Sequence, residues 1–258
     1  MTRIDIDIDA LSALARRAGA AILEVYNRPD FGIESKADDS PLTAADRKSH
    51  AVIDAGLREL SAEIPVLSEE GREIPYAERR QWRRFWLVDP LDGTKEFIKR
   101  NGEFTVNIAL IDDGRPVLGV IYAPALDLLY VGTVGRGAWR QDAAGGIEAL
   151  RVRSPAPGEG HAVVKSRSHP SGELADYLAT VQVEDSVPVG SSLKFCVVAE
   201  GRATLYPRFG PTMEWDTAAG QAIVEAAGGR VVDAADMSTP LSYNKEDLHN
   251  GFFVVTAH

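Results

Sequence analysis

The chain has 258 residues, and its 28 Lys and Arg against 38 Asp and Glu give a formal net charge of −10. This length allows one large or two small domains with a real core, and 45% apolar with 26% charged residues is typical of a globular protein. The negative charge disfavours a binder of nucleic acids or membrane surfaces, although a bound divalent cation would still allow a small phosphorylated ligand.

The first half of the chain predicts two helices followed by strands. Apolar residues from Leu11 to Val25 recur at three- and four-residue steps, as on one face of a helix. Thr43–Asp46 matches a capping box that would open a second helix. That helix would bury Val52, Ile53, Leu57 and Leu60. Phe85–Val88 predicts a buried strand ending at Asp89–Pro90, and residues 104–139 predict an antiparallel meander of four strands.

The second half of the chain alternates strands and helices after a candidate linker at residues 154–160. Strands are predicted at 161–166, 203–207, 228–233 and 251–256, and helices at 172–181, 191–201 and 216–227. We therefore predict an N-terminal α+β part over residues 1–153 and a C-terminal α/β part over residues 154–258.

Two carboxylates follow the strand predicted at 85–88. The strand delivers Asp89 to its carboxyl end, Pro90 interrupts the ladder, and Gly93 allows a sharp turn. Asp89 and Asp92 can then converge on one point, where they would repel and raise each other's pKa. Mg²⁺ would resolve this repulsion, with the Leu91 carbonyl completing its shell. The alternative is that Asp92 and Gly93 form a surface turn and Asp89 caps a strand end.

Other candidate residues lie near this turn or elsewhere in the chain. A helix starting at Gly93 and Thr94 presents free N–H groups, which form a common anion site. Amides for phosphate beside carboxylates for metal favour phosphoryl transfer to water. Glu69 follows an apolar segment and by composition is more typical of a solvated surface. Asp216 has an alternative role as the N-cap of the next helix, and Asp46 as the fourth residue of the capping box.

The single cysteine, Cys196, bears on both compartment and mechanism. It cannot close an intrachain disulfide, which favours a reducing compartment. Its spacing to Arg202 matches a cysteine-dependent phosphatase loop, but the residues between them continue the apolar face of a helix. We find neither a signal peptide nor a membrane-spanning run. These features predict a cytoplasmic protein, with peripheral association with the inner membrane face left open.

Paired motifs resemble a known superfamily. D-P-L-D-G-T at 89–94 together with W-D-T-A-A-G at 215–220 is similar to the signature of the magnesium-dependent, lithium-sensitive phosphomonoesterases, which include inositol monophosphatase and fructose-1,6-bisphosphatase. Finer segments resemble the branch of CysQ-type 3'(2'),5'-bisphosphate nucleotidases: residues 92–98, 165–169, 190–196, 205–212 and 243–248. The resemblance covers essentially the whole chain. It implies the fold of the inositol monophosphatase superfamily, a layered α-β-α-β-α sandwich that combines α+β and α/β parts.

The resemblance also implies a metal site and a water-activating pair. Two or three Mg²⁺ ions would be held by side-chain or carbonyl oxygens of Glu69, Asp89, Leu91, Asp92 and Asp216. Thr94, hydrogen-bonded to Asp46, would orient and deprotonate the attacking water. Glu69 would help to place a third ion through water, and inhibition by Li⁺ is expected.

For the substrate, the resemblance implies two groups of binding residues. The amides of Gly93 and Thr94 would bind the scissile phosphate, next to Asp216. Ribose, base and 5'-phosphate would be held by His169, Ser191, Lys194 and Arg208. Arg suits bidentate phosphate binding. The alternatives are solvated surface charges at Lys194 and Arg208 and a loop histidine at His169.

The function implied is removal of the 3'-phosphate from adenosine 3',5'-bisphosphate, giving AMP and phosphate, in the recycling of a by-product of sulfate assimilation. An inositol phosphate or fructose phosphate phosphatase on the same scaffold is the enzymatic alternative. A sensor that binds the nucleotide without turnover is the alternative outside enzymes. The expected partner is a small nucleotide bisphosphate rather than a nucleic-acid polymer, and monomer or homodimer stays open.

Overall fold

The computed structural model describes residues 5–28, 33–35, 41–165 and 172–257. Residues 33–35 and 41–43 are described by their backbone alone. Of the predicted site residues, His169 lies outside the described residues. None of the helices in this part of the chain is long and apolar enough to cross a membrane.

The described residues form the following helices and strands. The helices are α1 (Ile8–Tyr26), α2 (Ala44–Leu60), α3 (Tyr76–Arg79), α4 (Thr94–Ile98), α5 (Gly172–Ala179), α6 (Leu193–Ala199) and α7 (Glu214–Ala226). The strands are β1 (Ile33–Ser35), β2 (Pro41–Thr43), β3 (Val66–Ser68), β4 (Arg84–Asp92), β5 (Thr105–Asp112), β6 (Arg115–Ala123), β7 (Leu128–Thr133), β8 (Gly137–Gln141), β9 (Ile147–Leu150), β10 (His161–Lys165), β11 (Val183–Pro188), β12 (Leu205–Arg208), β13 (Arg230–Asp233) and β14 (Phe253–Thr256).

Two large sheets organise the chain. The larger has seven strands in the order β3-β4-β5-β6-β7-β8-β9. Its strands from β4 onward are joined antiparallel, which confirms the predicted meander, while β3 joins β4 in parallel. The smaller has five strands in the order β11-β10-β12-β14-β13, with parallel pairing from β11 to β12.

Helices cover both outer faces and fill the space between the sheets. The apolar face of α1, from Leu11 to Val25, is buried with Ile53 and Leu57 of α2 against one face of the larger sheet. Val52 and Leu60 are partly buried at the margin of the same core. Helices α6 and α7 share a core with both sheets. Helix α5 packs on the outer face of the smaller sheet. This order of layers confirms the predicted α-β-α-β-α sandwich.

Helix α7 lies very close to the larger sheet. A Cβ atom on Gly119 of β6 would lie 2.3 Å from Ala219 O, and one on Gly132 of β7 would lie 2.5 Å from Ile223 Cα. Both distances are too short for any side chain, so glycine is required on the sheet side. This contact fixes the helix that carries Asp216 against the sheet that carries Asp89.

The strand β4 continues further than predicted. It runs through Asp89–Pro90 to Asp92, so the predicted end at Asp89–Pro90 was wrong. The ladder is nevertheless irregular there, because Asp89 pairs with Asn107 and the next pair is Asp92 with Thr105. Pro90 has no N–H to donate, and the strand bulges over this step.

The strands of the larger sheet end at residue 150, and those of the smaller sheet begin at residue 161. The division of the chain into two parts near residue 153 stays a prediction, since the core around α6 and α7 draws on both sheets. The start of α2 agrees with the predicted capping box, but the Thr43 side chain lies outside the described residues.

Candidate active site

The bulge at the end of β4 turns two acids toward one side of the sheet. Asp89 is 1% exposed, and its Oδ1 accepts a hydrogen bond from Leu91 N at 3.0 Å. Gly93 has φ 88°, in the left-handed region that glycine tolerates, and α4 starts at the next residue. A Cβ atom on Gly93 would lie 3.0 Å from Ser191 Cβ, so the turn is also tightly packed.

A third acid joins these two from the opposite side of the site. One carboxylate oxygen each from Asp89, Asp92 and Asp216 lies within 4.8 Å of the others. Asp216 is in the first turn of α7, and its Oδ2 accepts from Met213 N at 2.8 Å. Met213 occupies the N-cap position, so the alternative that Asp216 is the N-cap was wrong. A cluster of this kind is typical of a metal site.

The electrostatics of the cluster reveal two further acids. Burial raises the pKa of Asp89, and the charges of Glu69, Asp92, Asp216 and Asp46 raise it further. The pKa of Asp216 is raised to about 8, first by burial and then by Asp92 and Glu69. Glu69 and Asp46 are therefore close enough to act on the cluster. The fold brings together five acids from four separate segments of the chain.

Glu69 and Asp46 reach the site by different routes. Glu69 follows β3, and its backbone N donates to Val88 O at 3.1 Å, beside Asp89. Asp46 is in the first turn of α2 and is 1% exposed. One turn further on, Ser49 Oγ donates to Pro90 O at 2.7 Å, which ties α2 to the β4 bulge.

The predicted phosphate-binding amides lie at the start of α4. Gly93 is its N-cap residue and Thr94 its first residue, and both are half-buried. The first N–H groups of a helix have no partner within the helix. The predicted hydrogen bond between Thr94 and Asp46 stays a prediction.

Two cations line a cavity together with two of these acids. Lys194 and Arg208 line it together with Asp92 and Asp216. Lys194 is only 9% exposed, so the alternative that it is a solvated surface charge was wrong. Its Nζ donates to Ser191 O at 2.9 Å, and burial lowers its pKa, with Arg208 nearby lowering it further. Arg208 Nε is buried and has no hydrogen-bond partner among the described residues.

Ser191 is hydrogen-bonded to one acid of the cluster. Its Oγ donates to Asp92 Oδ2 at 2.6 Å and lies 2.8 Å from Thr105 Oγ1. Whether Ser191 also contacts substrate stays a prediction. The sequence analysis missed its neighbour Ser192 and the amide of Asn107. The signals were present: Ser192 lies inside the G-S-S segment, and Asn107 is the one amide in the apolar strand β5.

Cys196 has no catalytic environment. It is fully buried within α6, and burial raises the pKa of its thiol, which disfavours the nucleophilic thiolate. Arg202 is exposed and pairs with Glu200 at 2.9 Å. This confirms that the spacing of Cys196 and Arg202 does not form a phosphatase loop.

A five-layer sandwich with a cluster of buried and half-buried acids beside its larger sheet defines a class of layered α/β proteins that bind metal at such a cluster. The sequence model of the inositol monophosphatase family matches residues 6–253, and the chain belongs to this family.

Several known proteins are similar over nearly the whole chain. The 3'(2'),5'-bisphosphate nucleotidase CysQ of Shigella flexneri is 52% identical over 253 residues, which cover 96% of this chain and 98% of that protein. The protein of the same name from Escherichia coli K12 is 51% identical with the same coverage. The crystal structure of CysQ from Bacteroides thetaiotaomicron superposes with a TM-score of 0.85 at 47% identity, over 96% of this chain and 97% of that one. The inositol monophosphatase TM1415 of Thermotoga maritima gives a TM-score of 0.78 at 25% identity, over 97% and 91%.

Proposed function

We propose that this chain is a Mg²⁺-dependent phosphomonoesterase that removes the 3'-phosphate of adenosine 3',5'-bisphosphate, releasing AMP and phosphate. The observation that carries the proposal is one cavity that Asp92 and Asp216 line together with the buried Lys194 and the half-buried Arg208. Such a cavity offers one place for a phosphate with metal and another for a second phosphate. Relatives about half identical over nearly the full chain carry the name of this activity. A role in sulfur assimilation and a cytoplasmic location belong to the same proposal.

The residues of the acidic cluster fit a hard divalent cation. Three carboxylate oxygens lie within 4.8 Å of one another, and their mutual repulsion raises the pKa values of Asp89 and Asp216. A divalent cation relieves that repulsion, and oxygen ligands are those that Mg²⁺ prefers. We assign the ligands of two or three Mg²⁺ ions to Glu69, Asp89, the Leu91 carbonyl, Asp92 and Asp216. Bound Mg²⁺ makes water more acidic and neutralises charge on the phosphate oxygens. Inhibition by Li⁺ is part of the proposal.

Thr94 and Asp46 handle the proton of the attacking water. Thr94 Oγ1 accepts a hydrogen bond from the water and donates its own proton to the Asp46 carboxylate. Asp46 is suited to this task because it is 1% exposed and lies beside the cluster, where bulk water does not compete. The amides of Gly93 and Thr94 hold the phosphate oxygens at the start of α4.

Lys194 and Arg208 provide the selectivity for a second phosphate. Both side chains are directed into the cavity, and the buried Arg208 Nε has an unused proton to donate. A guanidinium binds phosphate in a bidentate manner, while the ammonium of Lys194 acts as a point charge. His169 and Ser191 remain proposed contacts of the nucleoside.

Hydrolysis of inositol monophosphate is the second candidate. It is favoured by the likeness to solved inositol monophosphatases from Thermotoga maritima and from Anabaena, at 25% and 28% identity. Lys194 and Arg208 argue against it, since a substrate with one phosphate does not need a second cationic site. Fructose 1,6-bisphosphate hydrolysis and nucleotide binding without turnover are tested by the same experiment.

The test is phosphate release from adenosine 3',5'-bisphosphate, inositol 1-phosphate and fructose 1,6-bisphosphate, each with Mg²⁺ and with a chelator. We expect preference for the nucleotide and loss of all activity with the chelator. Clear preference for either sugar phosphate would refute the nucleotide assignment. Nucleotide binding with Mg²⁺ but without phosphate release would identify a sensor.

A further inference from the structure

We propose that Ser192 and Asn107 are positioning residues for the metal site: they hold one oxygen of Asp92 so that the other is left for the cation. This inference rests on the proposed function for its metal, but it concerns residues outside the proposed sets of metal ligands and substrate contacts. It also links the C-terminal sheet region to the acids carried by β4.

Two hydroxyls converge on a single oxygen of Asp92. Ser191 Oγ lies 2.6 Å and Ser192 Oγ 2.7 Å from Asp92 Oδ2. Among the described residues, none donates a hydrogen bond to Asp92 Oδ1. The carboxylate is therefore held from one side, and its second oxygen is the one available to the cluster with Asp89 and Asp216.

The hydrogen-bond directions at Ser192 follow from its neighbours. Asn107 Nδ2 donates to Ser192 Oγ at 2.8 Å, so the serine accepts there and keeps its single proton for another group. That proton can reach Asp92 Oδ2 at 2.7 Å or the backbone O of Asp216 at 3.0 Å. The carboxylate oxygen is the closer of the two acceptors and is charged, so it accepts the hydrogen bond from Ser192.

Asn107 is itself fixed in position. Its Oδ1 lies 2.9 Å from Thr105 Oγ1, which lies 2.8 Å from Ser191 Oγ. Asn107 is 1% and Ser192 2% exposed, so neither exchanges these bonds for water. With Thr105 donating to Asn107 Oδ1, the hydrogen bonds run from Thr105 through Asn107 and Ser192 to Asp92, and Ser191 donates to the same Asp92 oxygen separately.

The backbone of Ser191 supports the same interpretation. It has φ 51°, a left-handed conformation that is costly for a residue with a Cβ atom. This conformation presents consecutive hydroxyls to the same carboxylate, which an extended backbone would direct to opposite sides. The strain is thus located where the two serines hold Asp92.

The experiment compares Mg²⁺ binding by the full-length protein and its variants, using calorimetric titration with Mg²⁺ alone. Ser192→Ala removes the donor to Asp92, and Asn107→Ala removes the group that orients it. Ser61→Ala is a matched control: Ser61 is also buried, accepts from Trp86 Nε1 at 2.8 Å and donates to Leu57 O at 3.2 Å, away from the acids. Thermal unfolding of each variant reports stability separately.

We expect Ser192→Ala and Asn107→Ala each to weaken Mg²⁺ binding about 10- to 100-fold, as losses around metal ligands do. The double variant should bind about as well as Ser192→Ala alone, because both act through one contact. Ser61→Ala should lower thermal stability and leave Mg²⁺ affinity unchanged within about two-fold. Kinetics at saturating Mg²⁺ should recover most of kcat in Ser192→Ala.

Unchanged Mg²⁺ affinity in Ser192→Ala would overturn the proposal, and so would an equal loss in Ser61→Ala. If either proposed variant fails to fold, the other still decides, since each removes a different atom of the same path. Mg²⁺ binding with the expected pattern but without nucleotide hydrolysis would refute the proposed function and leave the positioning role standing. Failure of the parent protein to bind Mg²⁺ would refute both.

Discussion

Replacement of Lys194 by methionine tests whether the cavity recognises a second phosphate. Lys194→Met keeps an unbranched apolar side chain as far as Cε and removes the charged ammonium. Lys194 is 9% exposed, so its ammonium acts on a ligand with little screening by water. A hydrogen bond to a charged group contributes about 1.5–3 kcal/mol, which corresponds to roughly a 10- to 150-fold loss in kcat/KM.

The matched substrate for this variant is adenosine 3'-monophosphate, which has the same nucleoside and scissile phosphate but no 5'-phosphate. We expect kcat/KM to fall 10- to 150-fold for the bisphosphate and to change little for the monophosphate. The stability should hold or rise, because a buried charge that loses solvation is replaced by an apolar group of similar volume. Unfolding temperature and phosphate release, measured on the same preparations, separate the two effects.

The control variant is Arg202→Met. Arg202 is also a cation close to α6 in sequence, but it pairs with Glu200 and does not line the cavity. It should leave both substrates unaffected. Equal losses on bisphosphate and monophosphate in Lys194→Met would refute the reasoning, since they would show that Lys194 acts on the reacting phosphate or on the fold.

Three further predictions concern the acids and the packing of α7. Asp92→Asn should abolish phosphate release while the unfolding temperature stays within a few degrees, because the amide keeps the shape of a carboxylate that holds metal; retained turnover would contradict this. The chelated protein should lose stability as pH rises from about 4 to about 8, since the pKa of Asp216 lies above its usual value of 3.8 at about 8 and the folded state then binds the extra proton. Mg²⁺ should restore that stability and Asp216→Asn should flatten the dependence in thermal melts; stability of the chelated parent that rises over this range would oppose the assignment. Gly119→Ala should cost about 1–3 kcal/mol and lower the unfolding temperature by several degrees, because its Cβ would lie 2.3 Å from Ala219 O. Gly172→Ala has open space around the new atom and should leave the unfolding temperature unchanged. Equal unfolding temperatures for the two variants would contradict the close packing of α7 on the sheet.

Much of the layered fold could be predicted from local patterns. The three- and four-residue spacing from Leu11 to Val25 predicted the first helix. The apolar runs and turn residues between 104 and 139 predicted the meander. The strand β11 was missed because Val183–Pro188 is charged and mostly exposed at the sheet edge, without the apolar run that marks a buried strand. The end of β4 was placed too early because Pro90 interrupts hydrogen bonding without ending the strand.

The site was less accessible to local reasoning. Asp89 and Asp92 share one turn, and their convergence could be argued from spacing alone. Glu69, Asp46 and Asp216 each had an equally good local role, and only the packing of α2, β3 and α7 brings them to the same cluster. The hydroxyls on Asp92 Oδ2 depend on contacts between residues about a hundred positions apart, which no sequence pattern specifies.

The most direct test of the account is a crystal structure of the protein grown with Mn²⁺ in place of Mg²⁺, with anomalous scattering used to locate the metal. The account predicts anomalous peaks bounded by Asp89, Asp92 and Asp216, with Asp92 bound through Oδ1 and its Oδ2 still held by the two serines. Peaks elsewhere on the surface, or an acidic cluster without metal at concentrations that support turnover, would contradict it.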